Sequence, residues 1–508
     1  MEEYIVRMEY IQKNFGTVKA VRSGQFNLKK GEIHSIIGEN GAGKSTLMTM
    51  LYGMYPIDGG KIFLNGQELT HYTTKDAIAA GIGMVHQEFM LVNELTVLEN
   101  VILGFEPTRG LAIDRQAARK KISQYIETYH MDIQLDKKIN QISVGEAQRV
   151  EIIKTLSRGA NVIILDEPTS VLTPQETEKL FEILNDLKQA GHPIVFISHK
   201  LNEVMEISDR ITVMRNGEFM GTLEAKDTNE RELAMKMVGR EVLLNIPREH
   251  VEPGETILEV DHIWSTGERE KSKLRDVSFS VRAGEIVGIA GVDGNGQSEL
   301  AEAIAGLRRV EKGSIRICGA QTENKDPKKI RAAGMSFIPE DRNKTGLDHA
   351  SSIATNLITT DIPKYCTKLG IVRHKEAEAH AQKMIERFRI RAGGTNVNTA
   401  SLSGGNAQKV IVAREVSANN RFLLASQPTR GVDIGAIEQI RETLEQEKTK
   451  GCGILLISTE LEEIMSLSDR ILVMYEGKIS APIDAKTATE EQLGMLMLGG
   501  SVQEETGC

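Results

Sequence analysis

Apolar and polar positions fall into short blocks along this chain. Ile33–Ile37 is an apolar run, and Leu47, Met50, Leu51 and Met54 recur downstream at helical spacing. Between them lie Gly38, Glu39, Asn40, Gly41, Ala42, Gly43, Lys44 and Ser45, so the stretch predicts a strand, a glycine-rich loop and a helix. Upstream, residues 4–28 alternate in strand fashion about a turn, which predicts antiparallel strands. Downstream, GIGMVHQEF at 81–89 carries Gln87, and 95–140 are polar and helical in pattern, as over 114–130. Residues 162–165 read as a buried strand with Asp166 and Glu167 at its tip. An amphipathic helix follows over 176–190, then a buried strand over 193–200 reaching His199. Residues 208–223 read as a hairpin around Asn216-Gly217.

The same programme then runs a second time. GEIVGIAGVDGNGQSEL begins at 284, and SFIPEDR, SLSGGNAQKV, FLLASQPTRGVD, ILLISTEL and SDRILVMYEGKI follow in the order of their first-half counterparts. Gly38 answers to Gly291 and Gln87 to Glu340 at one offset. Ser143 to Ser403, Asp166 to Ser426, His199 to Thr459 and Asp209 to Asp469 share a second, slightly larger one. This is a duplicated α/β domain, predicted over 1–243 and 255–508, with a linker over 244–254 that holds Pro247, Pro253 and Gly254.

Composition narrows the class. At 508 residues, 40% hydrophobic and 26% charged, the chain has the make-up of a soluble protein with more than one domain. A net charge of −9 speaks against a protein built to wrap nucleic acid. No apolar run reaches membrane-spanning length, and MEEYIVRMEY lacks a signal-peptide core, so the expected location is cytosolic. Cys318, Cys366, Cys452 and Cys508 are scattered without a C-x-x-C pair, which predicts reduced thiols.

The loop at 38–45 matches G-x-x-x-x-G-K-[ST], a phosphate-binding pattern. Glycines let the backbone turn its N–H groups toward phosphate, and the following helix adds its positive end. Lys44 supplies a charge for the terminal phosphates, and Ser45 a hydroxyl for Mg²⁺. Asp166 suits the same metal, and Glu167 suits general-base work on a water. Alone, the Asp-Glu pair reads better as a solvated turn and His199 as a core histidine.

Together, GENGAGKST, the Gln87 loop, ISVGE, VIILDEPTS and the His199 strand resemble the nucleotide-binding domain of ABC transporters, once per half. The resemblance implies an α/β fold of two tandem P-loop NTPase domains. Each has a mainly parallel sheet core, an antiparallel β subdomain and a helical subdomain. It implies ATP as substrate and Mg²⁺ as cofactor, with Gly38, Glu39, Asn40, Gly41, Ala42, Gly43, Lys44, Ser45 and Thr46 around the phosphates. Ser45, Asp166 and Gln87 would serve the metal, Gln87 also touching the attacking water and relaying to a membrane subunit. Glu167 would act as base and His199 would hold the γ-phosphate. Phe15 stands where the family stacks adenine, although a core role fits a single Phe equally.

The halves differ in what they have lost. In the second, Gln297 replaces Lys44, Glu299 replaces Thr46, Glu340 replaces Gln87, Ser426-Gln427 replaces Asp166-Glu167 and Thr459 replaces His199. The family's L-S-G-G-Q signature is nearly intact in the second half, as Leu402-Ser403-Gly404-Gly405-Asn406, with Asp433 following. In the first it is Ile142-Ser143-Val144-Gly145-Glu146, and Thr173 stands for that aspartate. In the family the signature acts on a partner domain's γ-phosphate. Head-to-tail pairing of the two halves within one chain would bring Ser403, Gly404, Gly405 and Asp433 to the first half's ATP, giving one hydrolytic site and one degenerate site.

Fused domains with a degraded second half resemble the ATP-binding subunit of bacterial importers for simple sugars and nucleosides. That resemblance implies two integral membrane permease subunits as partners, an extracytoplasmic solute-binding protein acting indirectly, no nucleic acid, and a peripheral position on the cytoplasmic face of the cell membrane. GVDGNGQ, IPEDR and ASQPTRGVDIGAIE lean toward the nucleoside branch. A ribose-, galactose- or xylose-type importer is the alternative, and a soluble twin-ABC ATPase acting on ribosomes or DNA is the alternative of another class.

Overall fold

The computed structural model describes residues 4–500 apart from 17, 111, 241–247, 250, 268–269 and 419. Pro247, Cys508 and about half of the 244–254 segment lie outside the described residues. The chain divides into two compact units, Met1–Val242 and Leu243–Cys508.

In the first unit, Ile33–Ile37, Val162–Asp166, Ile194–Ile197 and Ile82–Val85 are parallel neighbours, buried along their whole length. Their apolar, largely β-branched composition suits strands covered on both faces. Arg210–Arg215 joins parallel to Ile33–Ile37 and turns back through Asn216 (φ 52°) and Gly217 (φ 80°) into Glu218–Glu224. Both turn residues take the left-handed conformation that a tight two-residue hairpin needs. Tyr4–Phe15 and Val18–Lys29 form the antiparallel pair that alternation predicted. Glu218 lies parallel to Ser23, so these strands belong to one ten-stranded sheet, and Thr108–Arg109 pairs apart from it with Ala112–Ile113. The helix read over 114–130 is Arg115–Thr128, capped by Asp114. The one read over 176–190 is Pro174–Gln189, capped by Thr173.

The second unit repeats the parts in two sheets. Leu274–Arg282, Thr256–Ser265, Lys312–Ile317 and Ala320–Gln321 make an antiparallel sheet. Met335–Ile338, Phe422–Ser426, Gly453–Ser458 and Ile286–Gly291 run parallel in the other. Phe422, Leu424, Leu455 and Ile289 bury into the core beneath the antiparallel sheet, so the apolar strand survives the loss of its terminal acids. At the entry to this unit, Arg248 donates to the carbonyls of Met465, Ser466 (2.6 Å) and Ser468 (3.1 Å). These close the C-terminal end of the helix Leu461–Leu467, where a cation is favoured. Cys318, Cys366 and Cys452 are free thiols. Among the described residues no helix is long and apolar enough to cross a membrane.

Candidate active site

The first unit's site forms at the carboxyl ends of its parallel strands, where ligands bind in open α/β sheets. Residues 38–43 leave Ile33–Ile37 and enter the helix Lys44–Leu51. Two glycines are sterically required. A Cβ on Gly38 would lie 2.3 Å from the Met214 carbonyl, and one on Gly43 (φ 94°) would lie 2.6 Å from that of Ala20. The hairpin turn props the loop from beneath, with the Gly217 N–H donating to Ala42 O at 3.1 Å. Within the loop, Ala42 N–H donates to Glu39 O at 3.0 Å. Thr46 continues the helix, with its carbonyl accepting from Thr49. Lys44 is buried, and its Nζ donates to Gly38 O (2.7 Å) and Glu39 O (3.2 Å). Burial lowers its affinity for the proton, against the pull of Glu167, Asp166 and Glu39. Phosphate oxygens would take over those hydrogen bonds with a stronger, charge-assisted partner.

Asp166 ends its strand and accepts from Ser45 Oγ at 2.9 Å. Burial pushes its carboxyl above the ordinary range, with Glu167 adding to the rise and Ser45 and Lys44 opposing it. Glu167 follows in the left-handed region (φ 48°), a conformation costly outside glycine and concentrated at functional sites. Its N–H is held by Ile197 O at 2.9 Å. Oε2 accepts from Gln87 Nε2 at 3.0 Å, and Oε1 meets His199 Nδ1 at 3.1 Å. Burial alone would raise this carboxyl. The His199 hydrogen bond, with the charges of His199, Lys44 and Lys200, holds it below the ordinary glutamate range. The structure thus gathers Lys44, Ser45, Gln87, Asp166, Glu167 and His199 into one cluster, and neither a plain solvated turn nor a core histidine describes it.

Phe15 ends its strand at 42% exposure and is not a core residue. Tyr55 packs edge-on to its ring at 5.2 Å, and Lys13 Nζ lies 5.6 Å from the ring centroid. Sequence reading missed Tyr55, which carries no motif and comes to Phe15 only through the fold. Among the described residues, no group of three His, Cys, Asp or Glu side chains makes a metal cage. The donors present are one hydroxyl, one buried carboxylate under pressure to protonate and an amide oxygen. That set suits Mg²⁺ completed by phosphate oxygens and water.

In the second unit, Gln427 keeps the left-handed turn (φ 49°), but its Oε1 accepts from Thr459 N and Oγ1, both at 3.3 Å. The position equivalent to Glu167 is filled by a neutral amide tied to its neighbour. The signature loops also differ in geometry. Ser143 caps the helix Val144–Ser157 in a closed capping box. Its hydroxyl accepts from Glu146 N, and the Glu146 carboxylate accepts from Ser143 N at 2.7 Å. A Cβ on Gly145 would press within 2.5 Å of the Glu176 carboxylate, so two acids crowd that helix start. Ser403 begins the helix Gly404–Ser417 without a side-chain cap bond among the described residues, and its hydroxyl accepts from the Asn406 amide at 2.9 Å. Gly405 packs closely on the second half's aspartate, since a Cβ there would lie 2.5 Å from Asp433 Oδ2. Asp433 itself caps the helix Ile434–Thr449, accepting from Ala436 N at 2.8 Å.

The family model described as ABC transporter matches residues 21–170 and again 274–430. The chain is 46% identical over 506 residues to a guanosine import ATP-binding protein of Bacillus subtilis, covering 99% of each. It is 43% identical over 503 residues to a nucleoside import ATP-binding protein of Lactococcus lactis, again covering 99% of each. A glucose import ATP-binding protein of Haloferax volcanii is 44% identical over 529 aligned positions, with 98% of this chain and 96% of that one covered.

Proposed function

This chain belongs to the ABC transporter family as an ATPase with two ABC domains, and on that premise we propose that it powers nucleoside import from the cytoplasmic face of the cell membrane. Two integral membrane permease subunits would be its partners, with an extracytoplasmic binding protein acting through them. Two of the relatives reported above carry nucleoside or guanosine import in their names, and the motif character of the second half leans the same way.

The observation that carries the reading is the placement of Glu167. Its carboxylate accepts from Gln87 Nε2 at 3.0 Å and meets His199 Nδ1 at 3.1 Å, beside a lysine-bearing phosphate loop. Residues 38–46 would cradle the phosphates with backbone N–H groups, Lys44 would bind the terminal phosphates, and Phe15 would stack on adenine. Mg²⁺ held by Ser45, Asp166 and Gln87 would supply charge neutralisation at the phosphates. Glu167 would take the proton of the attacking water while His199 holds the γ-phosphate.

The second unit's signature, Ser403, Gly404 and Gly405 with Asp433, would complete this reaction. The support is co-segregation: the half that lost its catalytic side chains kept the signature, and the half that kept them lost it. Steady-state ATPase assays of Glu167→Gln test the single-site assignment. The expected loss is about a hundredfold or more. Retention of half the turnover would overturn it.

A further inference from the structure

The segment after Glu340 departs in shape from its first-half counterpart. Arg342–Gly346 winds into one wide helical turn, whereas residues 86–95 hold no helix. Asp341 begins the turn, its carboxylate accepting from Asn343 N (2.9 Å) and Lys344 N (3.0 Å). The far end is pinned to the helix Gly404–Ser417. Buried Arg414 donates to Gly346 O at 2.9 Å, and a Cβ on Gly346 would lie 2.6 Å from Ile411 Cδ1. Wide turns of this kind concentrate at functional sites.

This one carries the half-buried guanidinium of Arg342 to two loops at once. Nη1 donates to Arg430 O at 2.9 Å and Nη2 to Gly431 O at 3.3 Å, the carbonyls just ahead of Val432 and Asp433. The same Nη2 lies against the signature. A Cβ on Gly404 would stand 2.9 Å from it and 3.2 Å from Gly431 O. Gly404 is therefore bare where the guanidinium sits. Gly431 is left-handed (φ 63°), and a Cβ there would meet Nη2 at 3.4 Å. A planar charged fork with two carbonyl acceptors fixes direction as well as distance.

The first half lacks every part of this brace. At the offsets of the duplication, Phe89 stands for Arg342, Val144 for Gly404 and Val171 for Gly431. The brace thus segregates with the intact signature and with Asp433. We propose, on the reading that the second unit's signature completes the first unit's reaction, that Arg342 is a positioning residue for ATP hydrolysis. Its guanidinium ties the signature at Ser403–Gly405 to the loop that carries Asp433, so that the two act on the γ-phosphate as one rigid piece. Arg342 works through the backbone of Gly404, Arg430 and Gly431, not on the reacting atoms.

Steady-state ATPase kinetics and thermal melting of the full chain are the test, compared across Arg342→Ala, Arg342→Lys and Ser403→Ala. Arg342→Ala should lower kcat at least about tenfold with KM for ATP held within about twofold, because a displaced signature costs rate and not ground-state binding. Its melting temperature should stay within about 3 °C of the unaltered chain. Arg342→Lys, and millimolar guanidinium added to Arg342→Ala, should each restore part of kcat. If Arg342→Ala keeps kcat within about twofold while Ser403→Ala cripples turnover, the proposal is overturned and the reading beneath it stands. Ser403→Ala without effect would remove that reading and the proposal with it. A fall in kcat that comes with a large drop in melting temperature, and that neither lysine nor guanidinium relieves, would also overturn the proposal and leave Arg342 a merely structural residue.

Discussion

Glu167 takes one hydrogen bond on each carboxylate oxygen, and that arrangement sets its charge. Burial is the largest influence on it and acts upward, while His199 is the first of the groups that reverse the sign. A lowered carboxyl keeps the base ionised until the pH falls below its depressed value, so the acid limb of kcat should lie below the ordinary glutamate range. His199→Ala removes the counterweight and leaves burial unopposed by it, and the acid limb should then move to higher pH. A pH profile of kcat reads the shift directly. A profile that keeps its limb while only its height drops would mean His199 serves the phosphate and not the base. None of this is legible in the sequence. The Asp-Glu pair and the lone histidine are visible there, but their meeting across two neighbouring strands, and the left-handed turn that aims Glu167, depend on long-range packing.

Between the two signature helices, the same serine has opposite work. Ser143 closes a capping box, whereas Ser403 leaves the first-turn N–H groups of its helix to other partners. Ser143→Ala should therefore cost about 1 kcal/mol of stability and leave ATP turnover nearly intact. Ser403→Ala should barely move the melting temperature and should cripple turnover. Calorimetry and an ATPase assay on both variants check the pair, and the reverse pattern would reassign the functional signature. Elements of this kind were the most legible part of the chain. Apolar runs marked the buried strands, Asn216-Gly217 marked a hairpin, and periodicity marked the helices read over 114–130 and 176–190, which fold as Arg115–Thr128 and Pro174–Gln189. What escaped was how strands join into sheets. The junction between the antiparallel and parallel parts is made by Arg22 N–H donating to Gly217 O at 2.7 Å and, in the second unit, by Arg275 N–H donating to Gly477 O at 2.9 Å, and no local pattern encodes it.

For the whole chain, the duplication was plain in the order of its motifs, and the unequal losses pointed to one working site. Restoring the second unit's chemistry gives a test. Gln297→Lys, Glu299→Thr, Glu340→Gln, Ser426→Asp, Gln427→Glu and Thr459→His together, placed in a Glu167→Gln chain, should leave ATPase activity near background. The signature that would serve this second site spends its serine on a capping box and places Glu146 and Glu176 at the helix start. Recovery of a tenth of normal turnover would show that the signature asymmetry does not matter. The Arg248 contacts bear on a different undertaking, the dissection of the protein into separately produced halves. A second half begun at residue 255, where its first strand approaches, would leave the carbonyls of Met465, Ser466 and Ser468 without the guanidinium that closes them. The workable cut lies before Arg248, and a fragment that starts there should melt several degrees above one that starts at 255.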